Sequence, residues 1–217
     1  MKKYLGALAL LFLAPTAALA HHPLGGMPME TFAHGLLSGI GHPILGFDHL
    51  FFVAIMGVAA LYTTRRLLTP LAYIAAMLAG CLMMSAGVGL PATEIVIGLS
   101  LLILGYIVLS GRALGIVPAL LVFGGFGLFH GSAFGDAIAQ QEAAMGTQVL
   151  VGYLLGLGVV QYAIAVAGGW VALNVWKATE ATAIQTRLSG AVVAGVGLFL
   201  SLENAEGIVF EAMKWTS

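Results

Sequence analysis

His42-Pro43-Ile44-Leu45-Gly46-Phe47-Asp48-His49, running straight into the apolar segment from Leu50 to Tyr62, sets both the fold class and the place to look for a site. Two imidazoles and a carboxylate head a stretch that approaches the ~20 residues a helix needs to cross ~30 Å of hydrocarbon. Ionisable groups at membrane depth cost roughly 2.5–3.5 kcal/mol each on insertion scales, so three within eight residues point to function. The rest of the chain shares this character. Of its 217 residues, 60% are hydrophobic and 8% charged, and the mean hydropathy is +1.04. A soluble domain carries about 25% charged residues, so an integral membrane protein is expected.

A formal net charge of −1 leaves no basic patch to neutralise phosphates and excludes nucleic acid as a partner. The single cysteine, Cys81, forms no internal disulfide and no thiolate cluster. A metal site here would use histidine, carboxylate or backbone oxygen.

His42 and His49 are about two helical turns apart and share a face, with Asp48 roughly 100° away on the next. Pro43 suits a first helical turn, so the helix is predicted to begin at Pro43, with His42 at its head near the outer interface. His49 then lies ~10 Å deeper, too far for the two rings to clamp one ion along a straight helix. Either the helix begins after His42 and the chain folds back, or the residues serve successive positions on a path. Asp48 is a candidate ligand, proton acceptor or carboxylate that fixes a histidine tautomer. His34, eight residues upstream of His42, is a weaker candidate ligand.

Apolar runs and their breakers predict an all-α, polytopic membrane bundle of six spans, roughly 43–62, 69–89, 93–111, 116–138, 147–174 and 187–203. The fifth run is long and is expected to be tilted or broken near Gly156 and Gly158. Residues 1–20 have the three parts of a cleaved signal peptide: Lys2-Lys3, an apolar core from Leu5 to Leu13, and Ala18-Leu19-Ala20. Cleavage would leave one membrane domain, residues 21–217, beginning at His21-His22, which are weaker candidates for capturing a cation. Arg65, Arg66, Arg112, Lys177 and Arg187 fall in alternate loops, which the positive-inside rule assigns to the cytoplasm. Glu94, Glu142, Glu203, Glu206 and Glu211 occupy the opposite side. Both mature termini are therefore expected outside the inner membrane.

A second motif, Phe129-His130-Gly131-Ser132-Ala133-Phe134-Gly135-Asp136, lies in the fourth span. Counting from Ile116 on the cytoplasmic side puts His130 ~21 Å and Asp136 ~30 Å across, in the same outer half as the first motif. Imidazoles and carboxylates converging inside a bundle suit a first-row divalent cation such as nickel, cobalt or zinc. Glycines spaced by four, at 127, 131 and 135 and at 152 and 156, let helix backbones approach closely. Those around His130 are expected to admit the first motif. Glu94 and Gln161 are further polar candidates, with Glu94 more readily read as an ordinary exposed helix-cap residue.

Together these residues resemble the HupE/UreJ family of membrane proteins, accessory to nickel hydrogenases and ureases and regarded as nickel or cobalt permeases. The family's His, five residues, Asp-His is matched by His42, Asp48 and His49. Its Phe-His-Gly-x-Ala-His-Gly-x-Glu is matched in part, by Phe129, His130, Gly131, Ala133 and Gly135. Phe134 stands where the family has its second histidine, Ala137 stands where it has glutamate, and Asp136 comes one residue earlier.

The resemblance implies an inner-membrane permease for a divalent ion, with His42, Asp48, His49 and His130 binding it and Asp136 as a carboxylate on the way in. It implies no catalysis and no tightly bound cofactor. The bilayer and the ion are the partners, with metallochaperones downstream or a homo-oligomer as further ones. No Gly-x4-Gly-Lys-Ser/Thr loop occurs, so the chain by itself is not an ATP-driven pump. The alternatives are a cytochrome with haem between two histidines such as His49 and His130, a membrane metallohydrolase, and a metal-binding accessory protein that does not transport.

Overall fold

A computed structural model describes residues 29–139 and 146–213. The expected signal peptide, together with His21 and His22, lies outside the described residues. Within them the chain forms seven α-helices and no strand. These are α1 (Phe32–Leu45), α2 (Phe47–Leu61), α3 (Thr69–Ser85), α4 (Thr93–Leu109), α5 (Ile116–Ala139), α6 (Thr147–Trp170) and α7 (Ile184–Ala212).

Three helical segments are long and apolar enough to cross a membrane: Ile116–Asp136, Thr147–Val175 and Ile184–Ala212. The α1–α2 pair makes a fourth if its two arms, bent by 80°, are read as one broken span. The apolar helices α3 and α4 have 17 residues each, a rise of ~26 Å, just short of the ~30 Å hydrocarbon core. The described residues thus make an all-helical protein with three or four candidate spans.

The first motif folds differently from the helix expected to begin at Pro43. Pro43 lies inside α1, near its C-terminal end, and the chain breaks at Gly46. Gly46 is extended, with φ −81° and ψ 96°, and its N–H donates to the His42 carbonyl at 2.8 Å. Its own carbonyl accepts the Leu50 N–H at 2.9 Å and so opens α2. His42 and His49 therefore sit on two arms of a bend and do not share the face of one helix.

The glycine stripe on α5 packs against α3. A Cβ built at Gly127, Gly131 or Gly135 would run into the carbonyl oxygen of Tyr73, Met77 or Cys81 in turn. The stripe thus brings α3, and not the first motif, against the helix of His130. Close backbone approach gains dispersion contacts where no hydrophobic drive separates helix from lipid. By the same device Gly152 and Gly156 seat α6 on α1, at the carbonyls of Phe32 and Leu36. Helix α4 packs mainly on α7, and α2 mainly on α6.

Helix α6 runs unbroken past Gly156 and Gly158 to Trp170, then widens into a π-helical turn, Val171–Val175. Helix α7 continues to Ala212, beyond the end expected near 203. Phe52, Met56, Tyr73, Met77, Leu101, Leu104, Phe123, Phe134 and Leu157 fill the core between the helices.

Candidate functional site

The bend at Gly46 aims both first-motif histidines at α5. His49, in the first turn of α2, is buried and its Nδ1 lies 2.7 Å from Nδ1 of His130. His42, on the α1 arm, has its ring 6.2 Å from that of His49, edge-on. Asp48 adds a carboxylate to the N-terminal turn of α2, where the helix dipole favours an anion. Its Oδ2 is 3.7 Å from His49 Nε2. Gly46 leaves room for the site: a Cβ there would lie 3.0 Å from the His49 ring and 3.3 Å from Asp48 Oδ1, so both side chains would have to shift.

Counting protons orders this cluster. The Ser100 hydroxyl, on α4, donates its single proton to the Ile97 carbonyl at 2.7 Å. It can then only accept from His130, so His130 Nε2–H donates to Ser100 Oγ at 2.9 Å. A neutral His130 accepts on Nδ1, which makes His49 Nδ1–H the donor of the 2.7 Å contact. The lone pair of His49 is left on Nε2, the nitrogen turned towards Asp48.

His42 follows the same logic. The Tyr153 hydroxyl donates to the Phe134 carbonyl at 3.3 Å, and His42 Nδ1–H donates to Tyr153 Oη at 3.0 Å. Both first-motif histidines therefore carry a lone pair on Nε2, that of His49 beside the Asp48 carboxylate. A neutral imidazole with its other nitrogen held as a hydrogen-bond donor is the form in which histidine ligates metals.

Phe134 forms the wall of this cluster. Its fully buried ring lies 4.1 Å from the His49 ring and 5.1 Å from the His42 ring. Phe52 packs on the other side, 4.5 Å from the His130 ring. Among the described residues, no group of three histidine, cysteine, aspartate or glutamate side chains is already spaced to hold a metal ion. Gathering several ligands on one ion would require these side chains to come closer together.

The other candidates lie outside the histidine contacts, although Glu94 is near enough to Asp48 to feel its charge. His34 sits at the start of α1, where its Nδ1 accepts the Glu30 N–H at 3.3 Å. Asp136 and Glu94 line a cleft of about 440 Å³ with Ser132 and Asn204, at the end of the bundle where α4 begins and α5 ends. Glu94 is exposed there, in the first turn of α4. Gln161 is fully buried and accepts the Tyr73 hydroxyl at 2.7 Å. It reaches the cluster only through Tyr73, whose ring lies 5.8 Å from that of His130.

Four residues that sequence reasoning passed over complete the site: Gly46, Ser100, Phe134 as a wall, and Tyr153. Two had a signal. Ser100 interrupts the apolar run Ile95–Leu104, and Tyr153 holds the one side-chain hydroxyl on α6 between Thr147 and Tyr162.

Comparison with known proteins gives the family. The family model described as HupE / UreJ protein matches residues 8–200. Protein HupE of Rhizobium leguminosarum bv. viciae is 30% identical over 173 residues, covering 72% of this chain and 91% of that protein. No solved structure matches the chain. With a family match that spans nearly its whole length and both histidine motifs gathered at one helix bend, the chain belongs to the HupE/UreJ family.

Proposed function

We propose that this protein is an inner-membrane permease for a divalent transition-metal ion, nickel or cobalt foremost, that supplies the maturation of metalloenzymes. It is not an enzyme. One observation carries the reading: His42, Asp48 and His49 gather at the break at Gly46, with His49 in contact with His130, inside a largely apolar helical bundle. The ion is the cargo, held by Nε2 of His42, Nε2 of His49 and the Asp48 carboxylate. His130 stands behind His49 and fixes its tautomer, joining the ligands only if the 2.7 Å contact opens. Few ligands with replaceable water suit conduction, because a site that binds too tightly cannot release its ion.

In this reading α3 and α4 also cross the bilayer, and α1–α2 count as one broken span. That gives six spans after a signal peptide ending at residue 20, with residues 21–217 as the mature domain and both its termini outside. The cleft lined by Asp136 and Glu94 then opens on the outer side, where its carboxylates concentrate cations before they reach the bend. The cytochrome alternative fits poorly, since nitrogens 2.7 Å apart leave no room for a porphyrin plane between His49 and His130.

The test is uptake of radioactive nickel, cobalt and zinc by cells expressing the wild type or His49→Ala. Saturable uptake that His49→Ala abolishes is expected. Equal uptake by the two at equal membrane abundance would overturn the assignment, and a stoichiometric Soret band in purified protein would replace it with the cytochrome.

A further inference from the structure

Away from the histidines, a second cleft of about 160 Å³ follows the seam between α2 and α6. Its floor is made of small residues. A Cβ on Gly57 would collide with the Ala165 carbonyl, and one on Gly169 would lie 2.9 Å from the Gly57 carbonyl. Leu61, Val166 and Leu173 form its apolar sides, and Trp170, 58% exposed, stands at its edge.

The cleft has polarity along its length. Arg66 and Asn174 lie at the end where α2 stops and the π turn of α6 finishes. From Asn174 to Ala165 the lining then runs ~13 Å towards the middle of the bundle, with no charged or amide side chain. Arg66 is held at the mouth because the Tyr162 hydroxyl donates to the Leu67 carbonyl at 3.0 Å and ties this loop to α6. Among the described residues no carboxylate lies within ion-pair distance of Arg66.

We propose that this cleft is a binding site for one anionic glycerophospholipid, with its phosphate on Arg66 and one acyl chain lying over Gly57 and Gly169. The order of groups carries the assignment. A cation without a carboxylate partner, an amide and an interfacial tryptophan stand at one end, and a narrow apolar groove leads from them into the bundle. Basic pockets between spans bind anionic headgroups in this way, and tryptophan sits at the headgroup level. A soluble anion would use Arg66 but gain nothing from the groove. A zwitterionic lipid would fill the groove but bring no net charge to Arg66.

The full chain is tested in nanodiscs with Trp170 as its sole tryptophan, in a Trp176→Phe, Trp215→Phe background. Quenching of Trp170 is compared for bromo-acyl phosphatidylglycerol and bromo-acyl phosphatidylcholine, each at the same low fraction in a phosphatidylcholine bilayer. The proposal expects the glycerol lipid to be enriched about fivefold, as one basic residue near a membrane supplies. Arg66→Gln should bring the ratio to about one, Arg65→Gln should leave it high, and Val166→Phe should weaken quenching by both lipids. A ratio of one in the parent protein would overturn the site. Equal losses in Arg65→Gln and Arg66→Gln would also overturn it, by showing a diffuse loop charge with no defined headgroup position.

Discussion

The two histidine motifs face each other at 2.7 Å, yet they are built on opposite principles. The first stands on a broken helix pair bent by 80°, where His42 and His49 occupy the two arms and the Asp48 carboxylate lies 3.7 Å from His49 Nε2. The second stands on an unbroken helix clamped to α3 by three glycines, and both nitrogens of His130 are engaged, by His49 and by Ser100. In the proposed cycle the bend is the part that moves, and the glycine seam, with its close backbone contacts, is the part that stays. A carrier site needs both: ligands that can gather and let go, and a rigid partner that holds their tautomers between turnovers.

Removing a ligand from the movable half should have the largest effect. His49→Ala is expected to reduce nickel and cobalt uptake to the background of cells lacking the protein, with membrane abundance by immunoblot unchanged. The rigid half should fail by another route. Gly131→Leu drives a side chain into the Met77 carbonyl, and overpacking of this kind costs about 1–3 kcal/mol or more. Its signature is a lower unfolding temperature in detergent and loss of protein from the membrane. If Gly131→Leu were as stable as the wild type, the seam would not be the rigid element described above.

Weaker changes sharpen the contrast. Ser100→Ala removes the acceptor that orients His130 and should lower metal affinity about 10–100-fold, the usual range for partners of ligating histidines, without altering the unfolding temperature by more than a few degrees. Phe134→His puts an imidazole into the wall 4.1 Å from the His49 ring. It should tighten nickel binding roughly tenfold, the equivalent of ~1.4 kcal/mol. Asp136→Asn, in the cleft it shares with Glu94, should slow uptake only a few-fold, with the deficit shrinking as ionic strength rises.

Much of this contrast was legible in the chain. Composition alone gives the membrane class, and the apolar runs locate α3 to α6 to within a few residues, because a helix in lipid must satisfy its own backbone. The glycine spacing correctly marks a close-packed face on α5. It does not name the partner helix, since a small residue specifies only that something comes near. The bend was harder to see. Proline is the expected breaker, and Pro43 drew the helix start to itself. The break falls at Gly46, whose extended backbone and missing Cβ are read only when the His49 and Asp48 side chains are in place. Ser100 and Tyr153 were missed for a related reason: a lone hydroxyl in an apolar run shows its purpose only when the buried nitrogen it serves is known.

The central claim is that the cargo ion sits on the first motif while His130 positions it. X-ray absorption of cobalt-loaded, purified protein tests this most directly through the number of imidazoles bound to the metal. The account predicts two imidazoles in the wild type, the same two in His130→Gln at weaker affinity, and no stoichiometric cobalt in His49→Ala. Loss of an imidazole in His130→Gln, or wild-type coordination in His49→Ala, would contradict it.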